Sequence, residues 1–507
     1  MADADDPSLD ARLSALLKRH GDALETTFVL DARETAQLRY GDLGGVIASR
    51  RAQLTAWGIG PGSRVGLLFA SPVSFVGWFL AGLHAGVWVA PLDPTNARNA
   101  PEATDHRAHA LTLSAIVSDL AGPSVTTTRW FVAPVVDEPG APVAEVAGGG
   151  VLLASSGSTG TPKVMALAKE QLLTNARLIA ENHQLTAQDR GFNALPWWHV
   201  NAEVVGVLAT LYAGATLIVA ERFHRTNFWQ AAGDHGVTWI NAVPAMIARL
   251  LPLREGERVP EGLRFVRSAS APLAPNLLRA FEAATGVEVI ESYGMTEAAS
   301  QICANPVGGA RTIGSVGRPI GVEVRVVRPS AALASPSERA DVGLVEIKGP
   351  TVITSYESPG YDDRFDDEGW LRTGDVGYFD DDGFLYLVGR SDDVINRGGE
   401  KVYPQEIENV LIGVEGLERV VVIGEADDVF GQVPVAYLEV QAEIRRDDLE
   451  LDVVLSSVRS ALTTQLTKPY RPATLKVVDE IPTASTGKVR KGLVRSGDVH
   501  VVRVEHL

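Results

Sequence analysis

Short apolar runs of strand length, each separated from the next by a segment of helical period, recur from about residue 42 to 220, and they restrict the fold of this chain more than any other feature. SRVGLLFA at 63–70 reads as a buried strand, 73–85 has helical periodicity, and VWVAPL at 87–92 follows a glycine. Strand, helix and strand in that order predict parallel βαβ units. The pattern returns at 216–220, 237–243, 263–270 and 287–294, with apolar helical segments between.

The texture changes twice. At 312–389 the runs VEVRVV, GLVEIKG and GFLYLVGR are separated by Gly, Pro and Asp turns, which predicts an antiparallel, barrel-like subdomain. After RSDDVINRGGEK come a proline-initiated helix at Pro404–Leu411, strands at 420–423 and 435–440, and a helix near 453–466, a small α+β domain. A chain of 507 residues is too long for one ordinary core, and two or more domains are expected. The expectation is an α/β chain with a large domain of stacked mixed sheets at 1–390 and a small mobile one at 391–507. No fixed-period repeat or low-complexity tract is present.

Composition excludes some roles. The net charge of −17 argues against nucleic acid as a partner, because no basic field offsets phosphate repulsion. Residues 1–10 are acidic and polar without a signal-peptide core, and no apolar run approaches the roughly 20 residues that span a bilayer. Cys303 is the only cysteine, so no intrachain disulfide can form, and a reducing, cytoplasmic setting without membrane partners is expected. Cys303 has no nucleophile signature around it and reads as a buried structural thiol.

VLLASSGSTGTPKVMAL at 151–167 is a strand, a flexible loop and another strand. The loop holds Ser155, Ser156, Gly157, Ser158, Thr159, Gly160, Thr161, Pro162 and Lys163. Glycines let a backbone approach a ligand and turn amides toward phosphate, and hydroxyls and a lysine add donors and charge. It is not a Walker A loop, since no Gly precedes Lys163 and an apolar β-like run follows. On its own it is equally a solvated hairpin turn.

Other elements follow in order. YGMTE at 293–297 ends an apolar strand, offering a Tyr293 ring to a purine and Glu297 to a Mg²⁺. LRTGDVGY places Asp375 after a glycine, where a carboxylate can accept both ribose hydroxyls. LVGRSDDVINRGGEK supplies Arg390 and a Gly-Gly turn, and PTASTGKVRKG puts Lys488 on another glycine-containing loop. Singly, each has a plain structural reading: a helix-start charge, a turn former, a surface lysine. Together and in this order they point to one nucleotide site.

These segments resemble the core motifs of the adenylate-forming superfamily of acyl- and aryl-CoA synthetases, adenylation domains and firefly luciferase, over about 43–493. The resemblance implies ATP- and Mg²⁺-dependent activation of a carboxylic acid to an acyl-adenylate, then transfer to CoA. It places Ser155 to Lys163 at the β- and γ-phosphates, and Glu297 and Thr296 near Mg²⁺ and the α-phosphate. Tyr293 stacks on adenine against Ala271 and Pro272, while Asp375 and Arg390 take the ribose hydroxyls. Lys488 bridges the carboxylate and α-phosphate, work that is mostly positioning and charge neutralisation. It also implies a hinge at Asp392, about which the small domain turns to bring in Arg397, Gly398 and Gly399, the two glycines lining the pantetheine tunnel. Loops like this also occur in enzymes that hand the acyl group to a carrier protein.

RFHRTNFW, LRFVRSASAPLAP and MTEAASQ look most like the oxalyl-CoA-synthetase-type small-acid ligases. The acid pocket then involves Trp198, His199, Asn201, Glu203, Asn241, Arg267, Ser270, Met295, Ala299 and Gln301. Trp197, Trp198 and Trp239 are bulky enough to narrow any pocket they face. Polar and basic groups suit a short, polar or dicarboxylic acid, although Arg267 is equally read as half of a structural ion pair. PWWHVNAEVVG departs from the family in having Ala202 where Gly is common, followed by Glu203. A charged Glu203 facing the pocket would disfavour an anionic acid and favour an amino- or hydroxyl-bearing one.

Overall fold

The computed structural model describes residues 12–20, 23–122, 128–134, 143–155, 163–328, 342–484 and 488–507. Its layering follows from the helix Pro72–His84. Ser71 caps this helix by accepting a hydrogen bond from the Ser74 amide, and Pro72 opens it with φ already helical. A helix on the outside of a core keeps a polar face, yet here Val73, Phe75, Val76, Trp78, Phe79, Leu80 and Leu83 are all buried. The cause is its position between two sheets. It touches Thr27–Asp31 and Gln37–Arg39 of one, and Arg64–Leu68 and Trp88–Pro91 of the other.

The first sheet has nine strands, in the order Arg318–Pro319, Ser300–Ala304, Glu288–Met295, Phe265–Ser268, Trp239–Ala242, Arg190–Asn193, Thr216–Val219, Thr27–Asp31, Gln37–Arg39. Its centre is parallel and its edges antiparallel. The chain passes from Arg190–Asn193 to a neighbour on one side and returns to Trp239–Ala242 on the other, which makes a topological switch point there. The second sheet orders Arg129–Val132, Ala115–Ser118, Arg64–Leu68, Trp88–Pro91, Gly150–Ser155 and Lys163–Ala168, and only its last pair is antiparallel. The expected βαβ unit is present: Arg64–Leu68 and Trp88–Pro91 pair in parallel across Pro72–His84.

The antiparallel segment is a four-stranded meander, Glu323–Val327, Gly343–Lys348, Leu371–Phe379 and Leu385–Arg390. Its first and last strands are not paired with each other, so the barrel-like segment stays open. Beyond Arg390 a six-stranded sheet is built around Leu417–Asp427 and Gly431–Val440, covered by Pro404–Leu411 and Asp448–Gln465. Its apolar side chains form cores of their own, running from Ile395 to Val494, while the largest core draws on Leu13 to Leu385. No described helix is long and apolar enough to cross a membrane.

Candidate active site

Gly150–Ser155 and Lys163–Ala168 form a hairpin whose last pair is Ser155 opposite Lys163. Ser156, Gly157, Ser158, Thr159, Gly160, Thr161 and Pro162 lie outside the described residues. The hairpin end is tied to a distant segment: the Val164 amide donates to Ser358 Oγ at 2.7 Å, and the Glu357 amide donates to the Val164 carbonyl at 2.9 Å. That segment brings two tyrosines that the motifs did not reveal. The half-buried Lys163 ammonium stands over the rings of Tyr361, at 5.0 Å, and Tyr356, at 5.7 Å. Tyr356 in turn donates its hydroxyl to Glu297 Oε1 at 2.9 Å, and the Ile353 amide donates to the Glu297 carbonyl. Burial lowers the Lys163 pKa from the ordinary lysine value, and nearby Arg364 lowers it further, against the attraction of Glu297. The hairpin lysine and the YGMTE glutamate therefore meet through one tyrosine, with a second cation, Arg364, close by.

The YGMTE motif is still within its strand, Glu288–Met295, and turns at Thr296–Ala298 in a single 3₁₀ turn. Gly294 permits this: a side-chain carbon there would collide with the Ser300 carbonyl of the neighbouring strand. Nearly buried Tyr293 donates its hydroxyl to Asp375 Oδ2. Asp375 Oδ1 accepts from Arg390 Nη1 at 3.0 Å, and Arg390 Nε donates to Asp392 Oδ1 at 3.2 Å. Tyr293, Asp375, Arg390 and Asp392 thus form one hydrogen-bonded chain. Ala271 and Pro272 lie on the partly exposed turn after Phe265–Ser268, where the Leu273 amide donates to buried Glu291 Oε1 at 3.4 Å. Burial pushes the Glu291 carboxyl up to about 8.

The acid-pocket residues gather at the carboxyl ends of the parallel strands, beside the switch point, where ligands bind in sheets of this kind. Asn193, Asn241 and Arg267 are register partners on three adjacent strands. Asn241 Nδ2 donates to Asn193 Oδ1 at 2.9 Å and to Asn201 Oδ1 at 3.0 Å. Arg267 Nη1 donates to Asn241 Oδ1 at 3.2 Å and Asn201 Oδ1 at 3.4 Å, and Nη2 donates to Gln301 Oε1 at 3.5 Å. Asn201 Nδ2 reaches exposed Ser270 Oγ at 3.2 Å, which links the buried row to the surface. Ser270 and Ala299 both take positive φ, at 72° and 52°, strained values of the kind found where side chains are aimed at a ligand. Met295 is partly exposed beside them.

Among the described residues Arg267 is not half of an ion pair. It is 1% exposed, all three of its bonds are long and go to neutral amides, and Nε has no partner among the described residues. Burial brings its pKa down to about 9. Gln301 Nε2 and Ser268 Oγ are likewise buried without partners. Donors left unmet in such a place cost free energy unless a ligand meets them.

Asn201 and Glu203 lie on a π-helix, Asn201–Leu208, a rare form frequent at functional sites. Glu203 is fully buried, neither oxygen has a partner, and burial raises its pKa well above the ordinary glutamate value. Burial therefore disfavours the charged form of this carboxyl, which weakens the repulsion that a charged Glu203 would exert on an anionic acid. His199 is neutral, its pKa brought down to about 4 by burial and by Arg107. Arg107, which no motif contained, also donates to the Ala154 carbonyl at 2.9 Å, beside the hairpin end. Trp197 packs on Phe75 and Trp239 stacks on Phe265, both in the core, and only Trp198 remains partly exposed.

Among the described residues Lys488 is exposed and makes no side-chain hydrogen bond or ion pair, so it is not joined to the groups above. Arg397 Nη1 donates to the carbonyls of Lys468, Pro469 and Arg471, and its guanidinium lies over Phe430. Those bonds anchor the turn of Gly398 and Gly399, both at positive φ, whose Gly398 amide donates to the Phe430 carbonyl.

Known proteins resemble this chain in sequence and fold. Residues 17–357 match the family model described as AMP-binding enzyme, and 406–488 match that of the AMP-binding enzyme C-terminal domain. The sulfoacetate–CoA ligase of Cupriavidus necator is 38% identical over 344 residues, 67% of this chain and 65% of that protein, just under two thirds of its length. The oxalate–CoA ligase of Arabidopsis thaliana is 32% identical over 468 residues, 86% of this chain and 88% of that one. The solved structure of O-succinylbenzoate coenzyme A synthetase from Bacillus subtilis, in complex with ATP and magnesium ion, has a TM-score of 0.80 at 26% identity. That match covers 95% of this chain and 99% of the other. From the hairpin lysine to the small C-terminal domain, the chain belongs to the AMP-binding enzyme family, the adenylate-forming ligases.

Proposed function

We propose that this chain is an AMP-forming acid–CoA ligase acting on a short carboxylic acid that carries a second anionic group. The observation that carries the substrate class is Arg267, a buried guanidinium with only amide partners, next to the unmet donors of Gln301 and Ser268. A carboxylate or sulfonate held there gains charge-assisted hydrogen bonds and relieves a buried charge. Sulfoacetate, oxalate and succinylbenzoate, named for the relatives, each carry two acid groups, which supports the same reading. His199 meets the acid as a neutral hydrogen-bonding group.

The nucleotide roles follow the two clusters. Lys163 and the loop from Ser155 would take the β- and γ-phosphates, with Thr296 near the α-phosphate. Tyr293, Ala271 and Pro272 would flank adenine, and Asp375 and Arg390 would take the ribose. No set of three or more potential ligand side chains is found among the described residues, so Mg²⁺ would be held by phosphate oxygens, water and Glu297, whose carboxylate Tyr356 orients. When bound, it supplies further charge neutralisation on the phosphates. In the first step a carboxylate oxygen of the acid attacks the α-phosphorus and the bond to the β-phosphate oxygen breaks, releasing pyrophosphate. Lys488 would neutralise charge between the two reactants. In the second step the CoA thiol attacks the acyl carbonyl, the carbon–oxygen bond to AMP breaks, and AMP departs. The separate cores on either side of residues 386–394 support a division near Asp392, with this residue as pivot and Gly398 and Gly399 serving the thiol step. The lone, buried Cys303 fits a reducing, cytoplasmic setting.

Acid-dependent ATP–pyrophosphate exchange over mono- and diacids, with mass spectrometry for the acyl-CoA, tests the proposal. Exchange with diacids or sulfonate acids and a CoA thioester product are expected. No exchange with any acid would sink it, and exchange without a thioester would redirect the second step to a carrier-protein thiol or another nucleophile, as in specialised metabolism.

A further inference from the structure

The segment after Lys488 is held to the pivot by ions as well as by chain. Lys491 and Arg495 stand one helical turn apart on the short helix Lys491–Arg495, so they share a face. Both reach Asp393, the residue after the proposed pivot: Arg495 Nη2 lies 2.5 Å from Oδ1, and Lys491 Nζ lies 3.5 Å from Oδ2. Lys491 Nζ also lies 3.1 Å from Glu408 Oε1, and that oxygen accepts the Val422 amide at 2.9 Å. Glu408 belongs to the helix Pro404–Leu411 and Val422 to the central hairpin of the small domain. The side chains of Asp393, Lys491 and Glu408 are each less than a quarter exposed. A shared, partly buried network is stiffer than a lone surface pair.

Lys488 is only three residues from Lys491, a reach of at most about 10 Å of chain. Its own loop is closed tightly: the Ala484 amide donates to the Lys488 carbonyl, the Arg490 amide donates to the Pro482 carbonyl, and Thr483 bridges Val489. Closure at the base and ionic anchoring beyond it leave the Lys488 backbone little freedom relative to residue 393.

We propose that Asp393 is a positioning residue for Lys488, fastening the lysine-bearing segment to the pivot so that a turn at Asp392 delivers Lys488 to the acid and α-phosphate in fixed register. The inference rests on the role proposed above for Lys488. Asp393, Glu408, Lys491 and Arg495 all lie beyond Asp392, so the network travels intact with the small domain. It serves the adenylation step, in which Lys488 takes part, and not the thiol step.

The two half-reactions separate this from a structural role. Asp393→Asn and, from the far side of the link, Arg495→Gln should each lower kcat for acid-dependent ATP–pyrophosphate exchange by roughly ten- to a hundredfold, the usual cost of a misplaced reacting group. KM for ATP should stay within about twofold, because neither side chain touches the nucleotide clusters, and thioester formation from prepared acyl-adenylate and CoA should stay within about threefold. Asp393→Glu should recover most of the exchange. Parallel losses in both half-reactions, or unchanged exchange in both variants, would overturn the proposal. Lys488→Ala is the control: if it kept full exchange, the role of Lys488 itself would fall, and the link would have nothing to position.

Discussion

Asp375 and Arg390 face each other across neighbouring antiparallel strands, and the guanidinium reaches the carboxylate at 3.0 Å while the hydroxyl of Tyr293 takes its other oxygen. Burial works to lower the Arg390 pKa, but Asp375 and Asp392 beside it push it above its ordinary value, so the guanidinium stays charged. Asp375→Asn should therefore raise KM for ATP by about ten- to a hundredfold, the worth of a charge-assisted hydrogen bond. Tyr293→Phe keeps the ring and should change it less than about threefold. Steady-state exchange kinetics at varied ATP check both.

Arg267→Met should leave thermal stability unchanged or raise it, because the buried guanidinium has no anionic partner to lose. The same variant should lose roughly a hundredfold or more in kcat/KM for a diacid, the cost of removing a buried charge partner. Its KM for ATP should not move. Calorimetry and exchange kinetics on one preparation give both halves.

Lys169 makes the opposite case. Its ammonium, 2% exposed, lies 2.6 Å from Glu145, which also accepts from the Ser14 amide. Lys169→Met leaves a partly buried carboxylate without its ammonium partner and should cost up to about 3–5 kcal/mol. The double variant Lys169→Met with Glu145→Gln should recover at least half of that in urea unfolding.

Glu291 should make stability depend on pH. Its folded pKa, about 8, lies above the ordinary value of 4.5, so the folded protein holds a proton that the unfolded chain releases. Its contribution is complete below pH 4.5 and is lost as pH rises toward 8. Glu291→Gln should therefore gain on the wild type by about 2–4 kcal/mol between pH 5 and pH 8. Unfolding midpoints at the two pH values measure the difference.

What the sequence made legible was local. The strand at 63–70, the helix at 73–85 and the helix Pro404–Leu411 came from periodicity and a proline start, and each is present within a residue or two. The strand–loop–strand of the glycine-rich hairpin was legible for the same reason. Tyr356, Tyr361 and Arg107 were not, because nothing near them in the chain announces that the tyrosines pack beside Lys163 and that Arg107 bonds to the Ala154 carbonyl. Whether Glu203 is charged was not legible either, because ionisation depends on burial, and burial is a property of the folded neighbourhood. That Trp197 packs on Phe75 and Trp239 on Phe265 was not legible, because size is visible in a sequence and direction is not.

The row Asn193, Asn241 and Arg267 has a consequence for how this enzyme can change. Backbone pairing holds the three positions about 4.8 Å apart, whatever side chains they carry. The phosphate grip proposed above lies elsewhere, at the hairpin lysine and the tyrosine-bearing segment at 351–361. On the proposed reading of the site, exchanging one residue of the row should alter the acid that is accepted without re-aiming the groups that activate it. New selectivity in this scaffold is reachable by single side-chain exchanges on an unmoved backbone.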